Sequence, residues 1–245
     1  MIIVDSHIHL GKCRVFEAEI RQEELLKAMR ENNIEKAIVQ PFPGAPDAIE
    51  VHNQIARLSR EHPGKIYGVV SMNPHVGEEK YAREAIRCVK ELGFVGLKLH
   101  TIGHAVNPLS EDGDLVFRIA AKLNVPVQVH TGLGIPFASP SLCIPCARKY
   151  PNLPIIITHA GFAILTDEAY VVAKECDNVF IETSWSISDK IKWLVDELGA
   201  DRVMFGSDSL TNIPVELAKY RAIGLNEDQL ERVLGKTAIK VFSLE

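Results

Sequence analysis

Asp5, His7 and His9 alternate with other residues in the opening stretch IIVDSHIHLG. Side chains two apart on a strand share a face, so these three would point one way, with Val4, Ser6 and Ile8 pointing the other. A His-x-His pair held in this way aims two imidazoles at one point, which is what a divalent cation needs. Two hydrogen-bonded or solvated strand-end histidines would give the same pattern. Three more histidines end apolar runs: His100 in VGLKLH, His130 in VPVQVHTG and His159 in LPIIITHAG. Asp208 ends RVMFGSD. Imidazole nitrogens and carboxylate oxygens are ligands of zinc and other first-row divalent ions. An ion so held turns bound water into a nucleophile near neutral pH. Cys143 and Cys146 form a lone C-x-x-C. A structural zinc site takes four ligands, so this pair and the odd total of five cysteines read as reduced thiols.

Eight short runs rich in Val and Ile would carry these residues, starting near residues 2, 36, 65, 95, 126, 154, 178 and 202. Their spacing suits a strand plus a crossover helix. Helical patterns fill the gaps. RQEELLKAMRENN sets Leu25, Leu26 and Met29 on one stripe, and PDAIEVHNQIARLSREHPG does so with Ile49, Asn53, Ile55, Ala56 and Leu58. EEKYAREAIRCVKELG stops at Gly93, SPSLCIPCARKYPNLP reads as a helix with Pro145 in its early part, and Asn226 suits the N-cap of the last tract. Near-continuous β-branched runs, each followed by a helix, predict parallel strands covered on both faces. Eight such units in a chain of this length predict a (β/α)8 TIM barrel, one α/β domain over residues 1–245. A doubly wound open sheet is the alternative, but its glycine-rich first turn is missing, since HLGKCRVF holds a single glycine.

In a barrel the C-terminal strand ends form the active face. Closure makes the first and last strands neighbours, which sets Asp208 beside His7 and His9, while His130 enters from across the mouth. Three imidazoles and a carboxylate can then meet near the axis. The ordered set DSHIHL, GLKLH, VQVHTG, ITHAG, FGSD and the closing LGKTAIKVF resembles the amidohydrolase superfamily, and within it the amidohydrolase-2 family of small metal-dependent hydrolases and decarboxylases. The resemblance covers nearly the whole chain. It implies that His7, His9, His130 and Asp208 bind one divalent metal, zinc first, with manganese, iron or nickel as other choices. It implies that Asp208 accepts a proton from bound water and that His159 orients that water or polarises the substrate. In two-metal members a lysine of the fourth strand is carboxylated and bridges both ions, and Lys98 holds that position here. The mononuclear branch is the better match, which leaves Lys98 to pair with Asp5 or Glu182. His100 and His104 would line the substrate pocket, with Asn107 in the same loop. Lys12 or Arg14 could hold a substrate carboxylate, and Trp185 could cap the pocket.

The function expected from this set is hydrolysis of an amide, ester or lactone of a small molecule. The alternative is non-oxidative decarboxylation of a small carboxylic acid at the same metal. Short loops favour hydrolysis and leave the mouth open for a neighbouring subunit of a homo-oligomer. A composition of 47% hydrophobic and 24% charged residues is that of a globular protein. A net charge of −5 without a Lys/Arg cluster speaks against a nucleic-acid partner. No apolar run approaches the ~18–20 residues of a membrane span, and no basic-then-apolar leader opens the chain, so the expected location is the cytoplasm.

Overall fold

The computed structural model describes residues 1–132 and 134–245. In chain order the elements are β1 (Val4–Cys13), β2 (Ala18–Ile20), α1 (Gln22–Glu31), β3 (Lys36–Pro41), α2 (Ala48–Glu61), β4 (Ile66–Ser71), α3 (Glu78–Lys90), β5 (Gly96–Leu99) and α4 (Glu111–Leu123). There follow β6 (Val127–His130), α5 (Cys143–Lys149), β7 (Ile155–Thr158), α6 (Thr166–Glu175), β8 (Val179–Glu182), α7 (Ser188–Leu198), β9 (Val203–Met204), α8 (Ile213–Ala222), α9 (Glu227–Glu231) and α10 (Thr237–Val241). The sheet runs β2-β1-β3-β4-β5-β6-β7-β8-β9, and every neighbour pair from β1/β3 to β8/β9 is parallel. The segment after β9 closes the ring. Ser6 N–H donates to the Phe205 carbonyl at 3.2 Å, and Asp208 N–H donates to the His7 carbonyl at 2.7 Å. The expected barrel is therefore formed by β1 and β3 to β9.

The sequence reading missed β2, a three-residue strand antiparallel to the end of β1, from Gly11 opposite Ile20 to Cys13 opposite Ala18. Gly11 sits at φ +87° with Val51 Cγ2 only 2.9 Å from where a Cβ would stand. Both the dihedral and the close approach require glycine there. The expected helices all form. The buried stripe of α2 is Val51, His52, Ile55, Ala56 and Leu58, with Ile49 and Asn53 only partly covered. Asp47, Ser110 and Asn226 accept backbone N–H groups at the starts of α2, α4 and α9, each cap contributing about 1 kcal/mol. Cys143 and Cys146 lie buried and unpaired in α5. No helix among the described residues is long and apolar enough to cross a membrane.

The barrel interior changes character from bottom to top. At the bottom Val4, Ile38, Val69, Ile156 and Met204 pack against Ala238, Val241, Phe242 and Leu244 from the chain end. Each large side chain buried there contributes about 1.5–3 kcal/mol, so the C-terminal helix plugs the floor. Two residues further along, on the same strand faces, come Gln40, Ser71 and Thr158. Together with Lys98, Gln128 and Glu182 they form a buried polar layer, and Gln128 reaches from β6 to the Ser6 carbonyl at 2.6 Å. The histidines stand above it.

Candidate metal centre

β1 and the loop after β9 bring three donors together. His9 Nε2 lies 3.1 Å and His7 Nε2 lies 3.4 Å from Asp208 Oδ1. Asp5 does not join them, because β1 shifts register against β3 between Asp5 and Ile8. Its carboxylate instead accepts the backbone N–H groups of His7 at 3.2 Å and Ser207 at 3.0 Å. Burial pushes the Asp5 carboxyl up to about 7 against those bonds. His130 stands at the same mouth but outside this group of donors, with its Nδ1 3.1 Å from His159 Nε2.

The hydrogen bonds select the tautomers. His7 Nδ1 faces Glu182 Oε2 at 3.1 Å, which takes its N–H and leaves Nε2 with a lone pair. Ser184 Oγ donates to the same carboxylate oxygen at 3.0 Å. The Ser184 oxygen is then the acceptor for His159 Nδ1–H at 2.8 Å, so His159 Nε2 accepts from His130 Nδ1–H and His130 Nε2 is left free. His9 Nδ1 donates to the Pro41 carbonyl at 3.2 Å. Its Nε2 faces Asp208 Oδ1 at 3.1 Å, and a cation can come between the two. Three imidazoles with Nδ1–H anchored from behind form the arrangement that metal-binding histidines adopt, and a divalent ion that displaces the Lys98 amine from His7 Nε2 fits this donor set.

Burial pushes His7, His130 and His159 well below the ordinary imidazole range, which keeps them neutral. Burial works to raise Asp208, but it is held low with His9 Nε2 as its partner at 3.1 Å, and its carboxylate stays ionised. Lys98 lies beneath, its Nζ 3.0 Å from Thr158 Oγ1 and 3.3 Å from His7 Nε2. These contacts replace the expected pairing with Asp5 or Glu182. Burial pushes its ammonium down to about 8.

A cavity of about 940 Å³ opens above the donors, with His9, His100, His130, His159 and Asp208 at its floor. Phe42 stacks on the His9 ring at 4.6 Å, and Phe162 stands edge-on to His159 at 5.2 Å. Ile20, Ile102 and Leu210 extend the apolar wall, and among the described residues that line it the only cation is the exposed Lys27 of α1.

His100 lines this space, stacked on His130 at 4.2 Å and fixed by Gly103 N–H on its Nδ1 at 2.9 Å. His104 is absent from the lining. The turn after β5 bonds its N–H to the His100 carbonyl at 3.0 Å and buries the ring beside the Pro43 backbone, where burial pushes it down to about 4. Asn107 Oδ1 caps Leu109 N–H in its own loop, and the exposed Lys12 and Arg14 do not line the cavity. Trp185 reaches the site, its Nε1–H donating to Asp208 Oδ2 at 2.8 Å. Phe42, Phe162 and Ser184 were missed. For the last of these the one signal in the sequence is a serine two residues after an acid that ends an apolar run, in FIETS.

A family profile described as amidohydrolase matches residues 4–244. A search of curated proteins finds no match. Among solved structures, 2,6-dihydroxybenzoate decarboxylase from Rhizobium is 18% identical with TM-score 0.78, over 100% of this chain and 99% of that one. 5-Carboxyvanillate decarboxylase from Novosphingobium aromaticivorans, complexed with manganese and 4-hydroxy-3-methoxy-5-nitrobenzoic acid, is 17% identical with TM-score 0.78, over 99% and 96%. 4-Oxalomesaconate hydratase from Rhodopseudomonas palustris is 18% identical with TM-score 0.74, over 99% and 96%. At these identities the likeness is one of fold.

Proposed function

The chain belongs to the amidohydrolase family, and from that premise we propose that it is a non-oxidative decarboxylase of a small carboxylic acid, with one divalent ion at the barrel mouth. His7, His9, His130 and Asp208 would hold the ion, which supplies a Lewis acid for substrate oxygens. The manganese bound by the carboxyvanillate decarboxylase of the same fold makes manganese the first ion to try, ahead of zinc, iron or nickel. Carboxylated Lys98 as a bridge to a second ion has less support, since its amine is engaged by Thr158 and His7.

The observation that carries this reading is the apolar shell over the donors. Phe42 covers His9 and Phe162 covers His159; among the described residues that line the cavity the only lysine or arginine is Lys27 on α1, while Lys98 lies beneath the donors. Such walls solvate a carboxylate poorly and neutral carbon dioxide well. In the reaction the bond from the carboxyl carbon to the substrate carbon breaks, and its electron pair stays on the substrate carbon, which takes a proton. That proton comes from solvent, which reaches the open cavity above the donors. His159 holds the tautomer of His130 and borders the reacting group, and His100 lies against the substrate.

Hydrolysis has less support. Asp208 Oδ2, the oxygen expected to take a proton from bound water, already accepts the Trp185 N–H, and such a bond weakens a carboxylate as a base. Short loops do not separate the two reactions, because two decarboxylases align over 99–100% of this chain and 96–99% of their own. The test is to reload metal-free protein with manganese or zinc and supply hydroxy- and methoxybenzoic acids, with esters, lactones and amides in parallel. Carbon dioxide release is the expected result. Ester or lactone turnover without it would replace this reading with hydrolysis.

A further inference from the structure

Asp208 and the residue facing it both sit in the left-handed region, Asp208 at φ +65° and Trp185 at φ +64°. A non-glycine residue held there costs about 1–3 kcal/mol and persists only when its surroundings hold it. A closed circuit of hydrogen bonds does so. Trp185 backbone N–H donates to Glu216 Oε1 at 2.8 Å. The same oxygen accepts Lys219 Nζ at 2.6 Å and Asn212 Nδ2 at 3.0 Å. Asn212 Nδ2 also donates to the carbonyl of Ser207, the residue before Asp208, at 2.9 Å. On the other side the Trp185 indole N–H closes the circuit on Asp208 Oδ2 at 2.8 Å.

We infer that Trp185 is a positioning residue: its indole N–H occupies one oxygen of Asp208 and so presents the carboxylate to the cation through Oδ1 alone. Oδ1 is the oxygen that faces His7 and His9. The inference rests on Asp208 being a metal ligand, and it is independent of which reaction the metal serves. A carboxylate released from Trp185 can rotate, and losing such an outer partner weakens metal affinity about 10–100-fold. The indole ring also stacks on Phe162 at 6.0 Å, so packing must be separated from the N–H bond.

The chain has two tryptophans, and Trp193 lies away from the donors, against Tyr170 at 4.5 Å. Manganese titrated into metal-free Trp193→Phe protein should quench the remaining indole emission saturably, and a chelator should restore it. Calorimetry should then show manganese bound about 10–100-fold more weakly by Trp185→Phe, and within about threefold of normal by Phe162→Leu, which keeps the N–H. Three results would overturn the inference: unchanged affinity in Trp185→Phe, equal losses in both variants, or Trp185 emission indifferent to bound manganese. Failure of the unaltered protein to take up manganese would remove the metal reading and this inference with it. Normal binding without carbon dioxide release would count against the decarboxylase reading alone.

Discussion

At the barrel mouth His7, His9 and Asp208 hold donor atoms within 4.8 Å of one another, and so do His52, Glu84 and Cys88 in α2 and α3. The two groups differ in what their atoms have left to give. His52 Nδ1 donates to Glu84 Oε1 at 2.8 Å, and its Nε2 accepts Ser71 N–H at 3.1 Å. Glu84 takes two bonds from Arg87, each 2.8 Å, and one from the Cys88 thiol at 3.3 Å. Burial and the neighbouring Glu84 push that thiol up, so it stays protonated. Both imidazole nitrogens are engaged, and the cluster braces two helices against β4. At the mouth each Nδ1–H is anchored from behind, and the Nε2 atoms of His7 and His9 meet only Asp208 and the Lys98 amine. Proximity of donors is common to both; an open cavity over the donors belongs to one.

Removing a donor at the mouth should produce the largest effect. Asp208→Ala or His7→Ala should weaken metal binding by more than about 100-fold, beyond the range for outer partners, while His52→Ala keeps one ion per chain by elemental analysis. Next comes Glu182→Gln, which loosens His7 directly and His130 through Ser184 and His159. Calorimetry should show an affinity loss of about 10–100-fold, and an unchanged affinity would remove the tautomer argument. In the second cluster His52→Ala should lower unfolding free energy by about 1–3 kcal/mol, the cost of leaving buried partners unpaired, read from urea denaturation.

Acid should act on that cluster in a defined direction. Burial works to raise Glu84, but its bonds from His52 and Arg87 win and hold it at about 2. Its contribution to stability is therefore present above the ordinary value of 4.5 and fades as pH falls towards 2. Burial pushes His52 down from 6.5, so the unfolded chain takes that proton first and the folded state loses stability as pH falls below 6.5. The urea midpoint should decline from pH 6.5 downwards, and Glu84→Gln should flatten the decline between 4.5 and 2. A midpoint independent of pH there would sink this assignment. The smallest effect belongs to Cys88→Ser, which keeps a donor to Glu84 and should shift stability by less than about 1 kcal/mol.

The barrel was legible because buried parallel strands leave a strong mark, and His7, His9, His100, His130, His159 and Asp208 were legible because each ends such a run. The polar middle layer was not. Gln40, Ser71 and Thr158 alternate with Val and Ile whose side chains face the surrounding helices, so each strand reads as apolar on average. β2 was hidden because three residues are too few to show a period. The anchoring of His130 by His159, Ser184 and Glu182 joins three strands, and no local pattern encodes such a bond. Asp5 shows the converse error: strict alternation placed it with the histidines, and the register shift in β1 turned it towards Ser207.

The most direct measurement is an anomalous-difference map from crystals of the manganese-loaded protein. One peak per chain should stand at the barrel mouth, ligated by Nε2 of His7, His9 and His130 and by Oδ1 of Asp208, with none beside His52. A peak between α2 and α3, or a manganese-loaded crystal with none at the mouth, would contradict the account.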